Sequence, residues 1–248
     1  MRNESLFLWA SVWYIGWMKQ FFAISLLTAA ALVFTPPISA AYEKVVDGVI
    51  KGDCTVTPEV KDMPFYPGKD IGRTNNLRRE TGLAVVAKGE PIYIVGQVLD
   101  ENCVPVSDVT VEMWQANGYG KYHHPDDKGD KLRDENFNGS GTTRTDNLGK
   151  FKFLTVFPGQ AKVGSAPRVH FTLSHPELKG IITEMYFPEQ AGNEDDTDLQ
   201  ANQDKYTALL ATTNFEAKDG TYKVERFSGD VAYYFTITLK GKNKFRKY

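Results

Sequence analysis

Beyond residue 90 the chain alternates apolar and polar side chains with the period of two that marks strands half-buried against a core. Val109, Val111 and Met113, for example, interleave with Thr110 and Glu112. The pattern predicts strands over 91–100, 109–115, 150–156, 168–173, 181–187 and 231–239, the first ending in a turn at Glu101 and Asn102. Gly, Asn, Asp and Pro separate these runs. Short strands punctuated in this way predict a mainly β fold, an antiparallel β-sandwich. The longest interruption is a polar loop over 118–141. An acidic stretch at Glu194, Asp195 and Asp196 is expected to open a short helix toward Leu210. Long loops in a compact β domain carry function or close over a site. No internal repeat is present, and one domain suffices: an N-terminal arm over 41–90, then the sandwich over 91–248.

The N-terminus changes the picture. Met18 and Lys19 precede an apolar run over 21–34, then Pro36, Pro37 and the small residues Ser39, Ala40 and Ala41. That order is a signal peptide cleaved after Ala40. The run falls short of the roughly 20 apolar residues of a spanning helix, so no membrane anchor is expected after cleavage. Residues 1–17 stand upstream of a complete signal that has its own Met18, so Met18 is the expected start and 1–17 an extension. The mature protein is then exported, periplasmic or secreted. Roughly 200 residues remain, enough for one β domain with a real core.

A formal net charge of −2 with no basic stripe excludes nucleic acid as the expected partner. There are two cysteines, Cys54 and Cys103. In an oxidising compartment such a pair reads as one disulfide tying the arm to a turn in the first hairpin. The alternative is two unrelated buried thiols; the absence of a CxxC spacing argues against a metal role.

The segment Val111-Glu112-Met113-Trp114-Gln115-Ala116-Asn117-Gly118-Tyr119-Gly120-Lys121-Tyr122 resembles the intradiol ring-cleavage dioxygenases, the family of protocatechuate 3,4-dioxygenase and catechol 1,2-dioxygenase. The resemblance extends in order over about 50–240. It includes Thr57-Pro58-Glu59, Pro64-Phe65-Tyr66, Gly96-Gln97-Val98-Leu99-Asp100, Cys103-Val104-Pro105-Val106 and Arg144-Thr145-Asp146. It continues through Gly149-Lys150-Phe151-Lys152-Phe153, Phe157-Pro158-Gly159, Val169-His170-Phe171 and Ile182-Thr183-Glu184-Met185-Tyr186-Phe187. It implies the family's sandwich with long active-site loops. It also implies cleavage of catechols by dioxygen, as in aromatic compound catabolism, at a ferric ion held by two tyrosinates and two histidines. Phenolate and imidazole suit that hard ion.

Carried over by position, one tyrosine falls on Tyr122 and one histidine on His170. The other histidine, two residues earlier on the same strand face, falls on Arg168. The other tyrosine has no counterpart in Gln160-Ala161-Lys162-Val163. Two of four ligands are therefore missing, and Fe(III) binding is expected to be weak or absent. A guanidinium has no lone pair to offer and keeps its charge. Arg168 is expected to hold a ligand carboxylate or phosphate in the emptied pocket, and to favour the tyrosinate form of Tyr122.

Tyr122, Arg168 and His170 are thus the candidate pocket residues, with Tyr122 and His170 as metal ligands if iron binds. His124 is a possible substitute ligand, whereas His123 and His175 are expected to be solvated. Trp114 is expected in the core, Tyr119 and Pro125 in the pocket wall, and Arg144 bonded to loop carbonyls or Asp146. Three functions fit the sequence. The first is a catalytically altered or inactive relative that binds a small aromatic or anionic ligand. The second is a ring-cleavage dioxygenase with substitute iron ligands. The third is a non-catalytic exported interaction module.

Overall fold

Seven strands form two sheets in the computed structural model, which describes residues 54–79, 82, 84–201, 205–213 and 231–243. The signal-peptide and start-site expectations concern residues outside this set. The described residues belong to one compact unit, Glu43–Tyr248. None of their helices is long and apolar enough to cross a membrane.

The strands are β1 (Pro91–Asp100), β2 (Thr110–Gln115), β3 (Ser140–Arg144), β4 (Lys150–Val156), β5 (Arg168–Ser174), β6 (Ile181–Tyr186) and β7 (Val231–Leu239). One sheet has the order β4-β1-β7 and the other β3-β2-β5-β6. Alternation dictates which faces meet: β1 turns Ile92, Ile94, Gly96 and Val98 inward and leaves every second residue half-buried. Phe151 of the first sheet and Phe171 of the second pack edge to face at 6.0 Å, and Phe171 stacks on Phe235 at 5.9 Å. The core therefore lies between the sheets.

Six strands fall where the hydrophobic pattern puts them, within a residue at each end. The seventh, β3, ends the loop expected over 118–141. Its sequence is small and polar because its neighbours leave no room. A Cβ on Gly141 would stand 2.1 Å from the Thr74 carbonyl oxygen, and Ser140 is buried. One pairing also departs from the antiparallel expectation: β7 lies parallel to β1, with Ile92 opposite Val231. Where the acidic stretch predicts one helix there are two single turns, α1 (Thr197–Gln200) and α2 (Tyr206–Leu209). Asp196 starts the first, its side chain accepting from the Asp198 and Leu199 amides.

The described residues of the arm make no strand of their own, yet their backbone is bonded along both sheets. Thr57 N donates to Thr238 O, Val60 N to Ile182 O, and Leu77 N to Leu154 O. A disulfide between Cys54 and Cys103 pins the arm to the turn after β1. Asp100, buried at the end of β1, organises that turn by accepting from the Asn102 and Val104 amides at 2.9 Å.

Two outcomes are expected. Reduction of the Cys54–Cys103 bond releases a loop of sequence separation 49 and lowers stability by roughly 2–4 kcal/mol, read by urea unfolding with and without reductant. Gly96→Ala places a Cβ about 2.2 Å from the Phe151 ring and 2.6 Å from the Phe235 carbonyl oxygen. It should cost on the order of 3 kcal/mol in the same assay, because one of those neighbours is backbone and cannot yield.

Candidate functional site

The site lies on the face of the four-stranded sheet opposite the core. Strand register assembles it: Trp114 of β2 stands beside His170 of β5, which stands beside Glu184 of β6. One pair along, Arg168 stands beside Tyr186. Val169 and Phe171, on the alternate face of β5, are buried in the inter-sheet core. The same alternation therefore builds the core and presents Arg168 and His170 together. Over this face fold the loop that carries Tyr122 and the arm that carries Phe65, whose ring packs 4.8 Å from that of Tyr122.

These parts enclose a cavity of about 450 Å³ that touches Phe65, Ala161 and all three predicted pocket residues, Tyr122, Arg168 and His170. Tyr122 and His170 are buried. The Tyr122 hydroxyl lies 2.7 Å from His170 Nε2. The imidazole is clamped from two further sides. Trp114 stacks on it with ring centres 5.0 Å apart, and its own Nε1 donates to the Pro64 carbonyl at 2.9 Å. Glu184 Oε1 faces His170 Nδ1 at 3.0 Å, off the axis of a straight hydrogen bond. Trp114 is thus buried, as expected, and is also the plate against which the imidazole is set. Asp127 holds the Tyr122 backbone in place: one oxygen accepts from the Tyr122 amide at 2.8 Å, and the other pairs with Lys121 at 3.2 Å.

Arg168 does not behave as the sequence suggests. Its guanidinium is taken by carboxylates of its own chain: Nη1 lies 3.3 Å from both Glu184 and Asp198, and Nη2 pairs with Asp196. Its flat face covers the Tyr186 ring at 4.9 Å, while the Tyr186 hydroxyl donates to Glu184 at 2.7 Å. A ligand anion would compete with these carboxylates for the guanidinium. Nor does Arg168 make Tyr122 a tyrosinate. Burial raises the phenol's pKa far more than the nearby guanidinium lowers it, and Glu184 and Asp127 add to the rise.

The substitute ligands do not converge either. His124 Nδ1 accepts from the Asp126 amide and lies 3.8 Å from that residue's carboxylate, and His124 is not among the residues around the cavity. His123 is exposed and bonds the Phe137 carbonyl and Arg133. His175 is half-buried, with its Nδ1 accepting from the Glu177 amide. Tyr119 and Pro125 lie outside the cavity wall, which the loop builds instead from Tyr122, Asp127, Lys128 and Gly129. Arg144 pairs with Asp108 at 3.7 Å rather than with Asp146, whose carboxylate accepts from the Leu148 and Lys150 amides.

Among the described residues no group of three or more His, Cys, Asp and Glu side chains is placed to hold a metal ion. More telling is the donor chemistry. One phenol and one imidazole share the cavity with a permanent cation, Arg168, and no tyrosine stands over 160–163. That set does not fit ferric iron.

Glu184, Asp196, Asp198 and Tyr186 are the site residues that the sequence reading missed. Glu184 sits two strand positions before Tyr186 and directly opposite His170, a register that becomes visible only once β5 and β6 are paired. Burial pushes the Glu184 carboxyl up, but His170, Arg168 and the Tyr186 hydroxyl together outweigh it and hold its pKa at about 2, against an ordinary 4.5. A carboxyl whose pKa falls on folding stabilises the fold above its unfolded pKa, and that stability is lost as pH falls toward the folded value. The wild type should therefore lose roughly 3 kcal/mol between about pH 5 and pH 2 that Glu184→Gln does not lose, measured by urea unfolding across that range.

Comparison with known proteins agrees with the architecture. Residues 64–241 match the Dioxygenase family. The chain is 33% identical over 198 residues to the protocatechuate 3,4-dioxygenase beta chain of Burkholderia cepacia, covering 73% of this chain and 77% of that one. It is 30% identical over 165 residues to the protocatechuate 3,4-dioxygenase alpha chain of Pseudomonas putida, covering 64% and 75%. Among solved structures it is similar to the dioxygenase domain of a dioxygenase carbohydrate-binding protein fusion from Streptomyces sp. SirexAA-E. That match has TM-score 0.56 and 22% identity, and covers 76% of this chain and 100% of that one. It is likewise similar to an intradiol ring-cleavage dioxygenase from Tetranychus urticae, with TM-score 0.56, 19% identity and coverage of 75% and 95%. With the family match over most of the chain and the two-sheet fold in agreement, the chain belongs to the intradiol dioxygenase family.

Proposed function

We propose that this chain is an exported member of the intradiol dioxygenase family that binds a small aromatic ligand in the family's pocket without ferric iron, and so has lost or altered the family's ring cleavage. The observation that carries this reading is Arg168 in the cavity wall beside His170, its guanidinium held by Glu184 and Asp196. A guanidinium has no lone pair to offer a metal ion, and its fixed positive charge opposes one. The cavity suits a flat apolar ligand: Phe65 and Ala161 line it, and Tyr122 and His170 offer polar contacts on one side. An anionic substituent would find Lys162 at the rim, which is exposed, rather than Arg168. Export is supported by the apolar run ahead of Ala40 and by the disulfide, a bond that persists in oxidising compartments.

The test is iron content, visible absorption and melting temperature of the purified protein. The expected protein is colourless and substoichiometric in iron even after ferric reconstitution. Catechol at about a hundred times its dissociation constant should raise stability by roughly 2.7 kcal/mol. Near-stoichiometric iron with a tyrosinate-to-iron charge-transfer band would overturn the reading in favour of a working dioxygenase. No response to any aromatic ligand would leave an interaction module.

A further inference from the structure

We infer that Arg168 is a resident cation, fixed by the chain's own carboxylates, which supplies permanently the positive charge that the family's fold elsewhere receives from iron. Four of the five guanidinium N–H groups face a partner, and so does the plane of the group. Nε points to the Ala166 carbonyl at 3.5 Å, Nη1 is shared between Glu184 and Asp198, Nη2 pairs with Asp196, and the plane lies over Tyr186. The partners come from separate parts of the chain. Glu184 is on β6, Asp196 caps α1, and Asp198 lies in its first turn. Asp196 is almost fully buried at 1% side-chain exposure and Glu184 is at 8%, while Asp198 is open at 60%.

Two buried carboxylates of this kind are tolerable only beside a cation, because an uncompensated buried charge is strongly destabilising. Asp196 is further committed: its other oxygen accepts from the Asp198 and Leu199 amides, and the oxygen that meets Arg168 also accepts from the Ala166 amide at 2.6 Å. The guanidinium therefore ties β5, β6 and the 194–200 segment into one wall of the pocket. A metal ion can arrive and leave; a side chain cannot, so the wall is set when the chain folds. The inference rests on the iron-free reading above, but its test reads stability rather than iron or ligand, so the two can fail separately.

The experiment compares melting temperatures of the full chain as wild type, Arg168→Met, Glu184→Gln, Arg168→Met/Glu184→Gln and Arg168→Lys. Arg168→Met keeps most of the side-chain bulk and removes the charge, and should melt on the order of 10 °C lower. If unanswered carboxylates are the cause, adding Glu184→Gln to that variant restores several degrees, although Glu184→Gln alone lowers the wild type. Arg168→Lys, which keeps the charge but not the fork, should fall between wild type and Arg168→Met. The inference is overturned if the double variant melts at or below Arg168→Met, or if Arg168→Met melts within about 2 °C of wild type. Should Arg168→Met not accumulate in the cell, a soluble double variant carries the inference and an insoluble one overturns it.

Discussion

A guanidinium cannot shed its charge at any pH a protein survives, so wherever a fold buries one, the surroundings must be built to answer it. At Arg168 that constraint reaches across the pocket. Glu184 is held ionised at about pKa 2, Asp196 is drawn in from the start of α1, and Tyr186 lies flat beneath the group. Glu184 then passes the constraint on, because its second oxygen faces His170. The imidazole is left with Trp114 on one face and the Tyr122 hydroxyl at Nε2. The setting of His170 and Tyr122 thus follows here from a neighbouring charge.

The fold was legible because it depends on side-chain period. Strands such as β1 and β4 bury alternate residues against one core, and that alternation is written directly in the sequence. The strand that escaped detection, β3, is the one whose burial depends on small side chains: Gly141 is shaped by the Thr74 carbonyl above it, and no hydrophobic period marks it. The parallel pairing of β7 was equally silent, since the same residues would alternate in the same way beside an antiparallel partner.

The site was legible in half. Tyr122, Arg168 and His170 could be placed by position, and they do share one cavity. What each side chain does there could not be placed, because partners on other strands decide it. Arg168 looked available for a ligand only while Glu184, Asp196 and Asp198 were unassigned, and those contacts span sequence separations of 16 to 30 residues. His124 looked able to join Tyr122 only on the assumption of an extended segment; in the turn it adopts, its ring bonds the Asp126 amide instead.

The parallel pairing of β1 with β7 has a consequence for how the chain reaches this structure. β1 is the middle strand of its sheet, yet one of its two neighbours is β7, far along the chain, with Ile92 meeting Val231 and Asp100 meeting Leu239. Until that neighbour emerges, β1 presents an open row of backbone donors and acceptors along its whole length. Contacts so distant along the chain close late and slowly, after much loop entropy has been given up. A nascent or truncated chain lacking β7 is therefore an aggregation hazard, because the sandwich can shut only once residues 231–239 have been made.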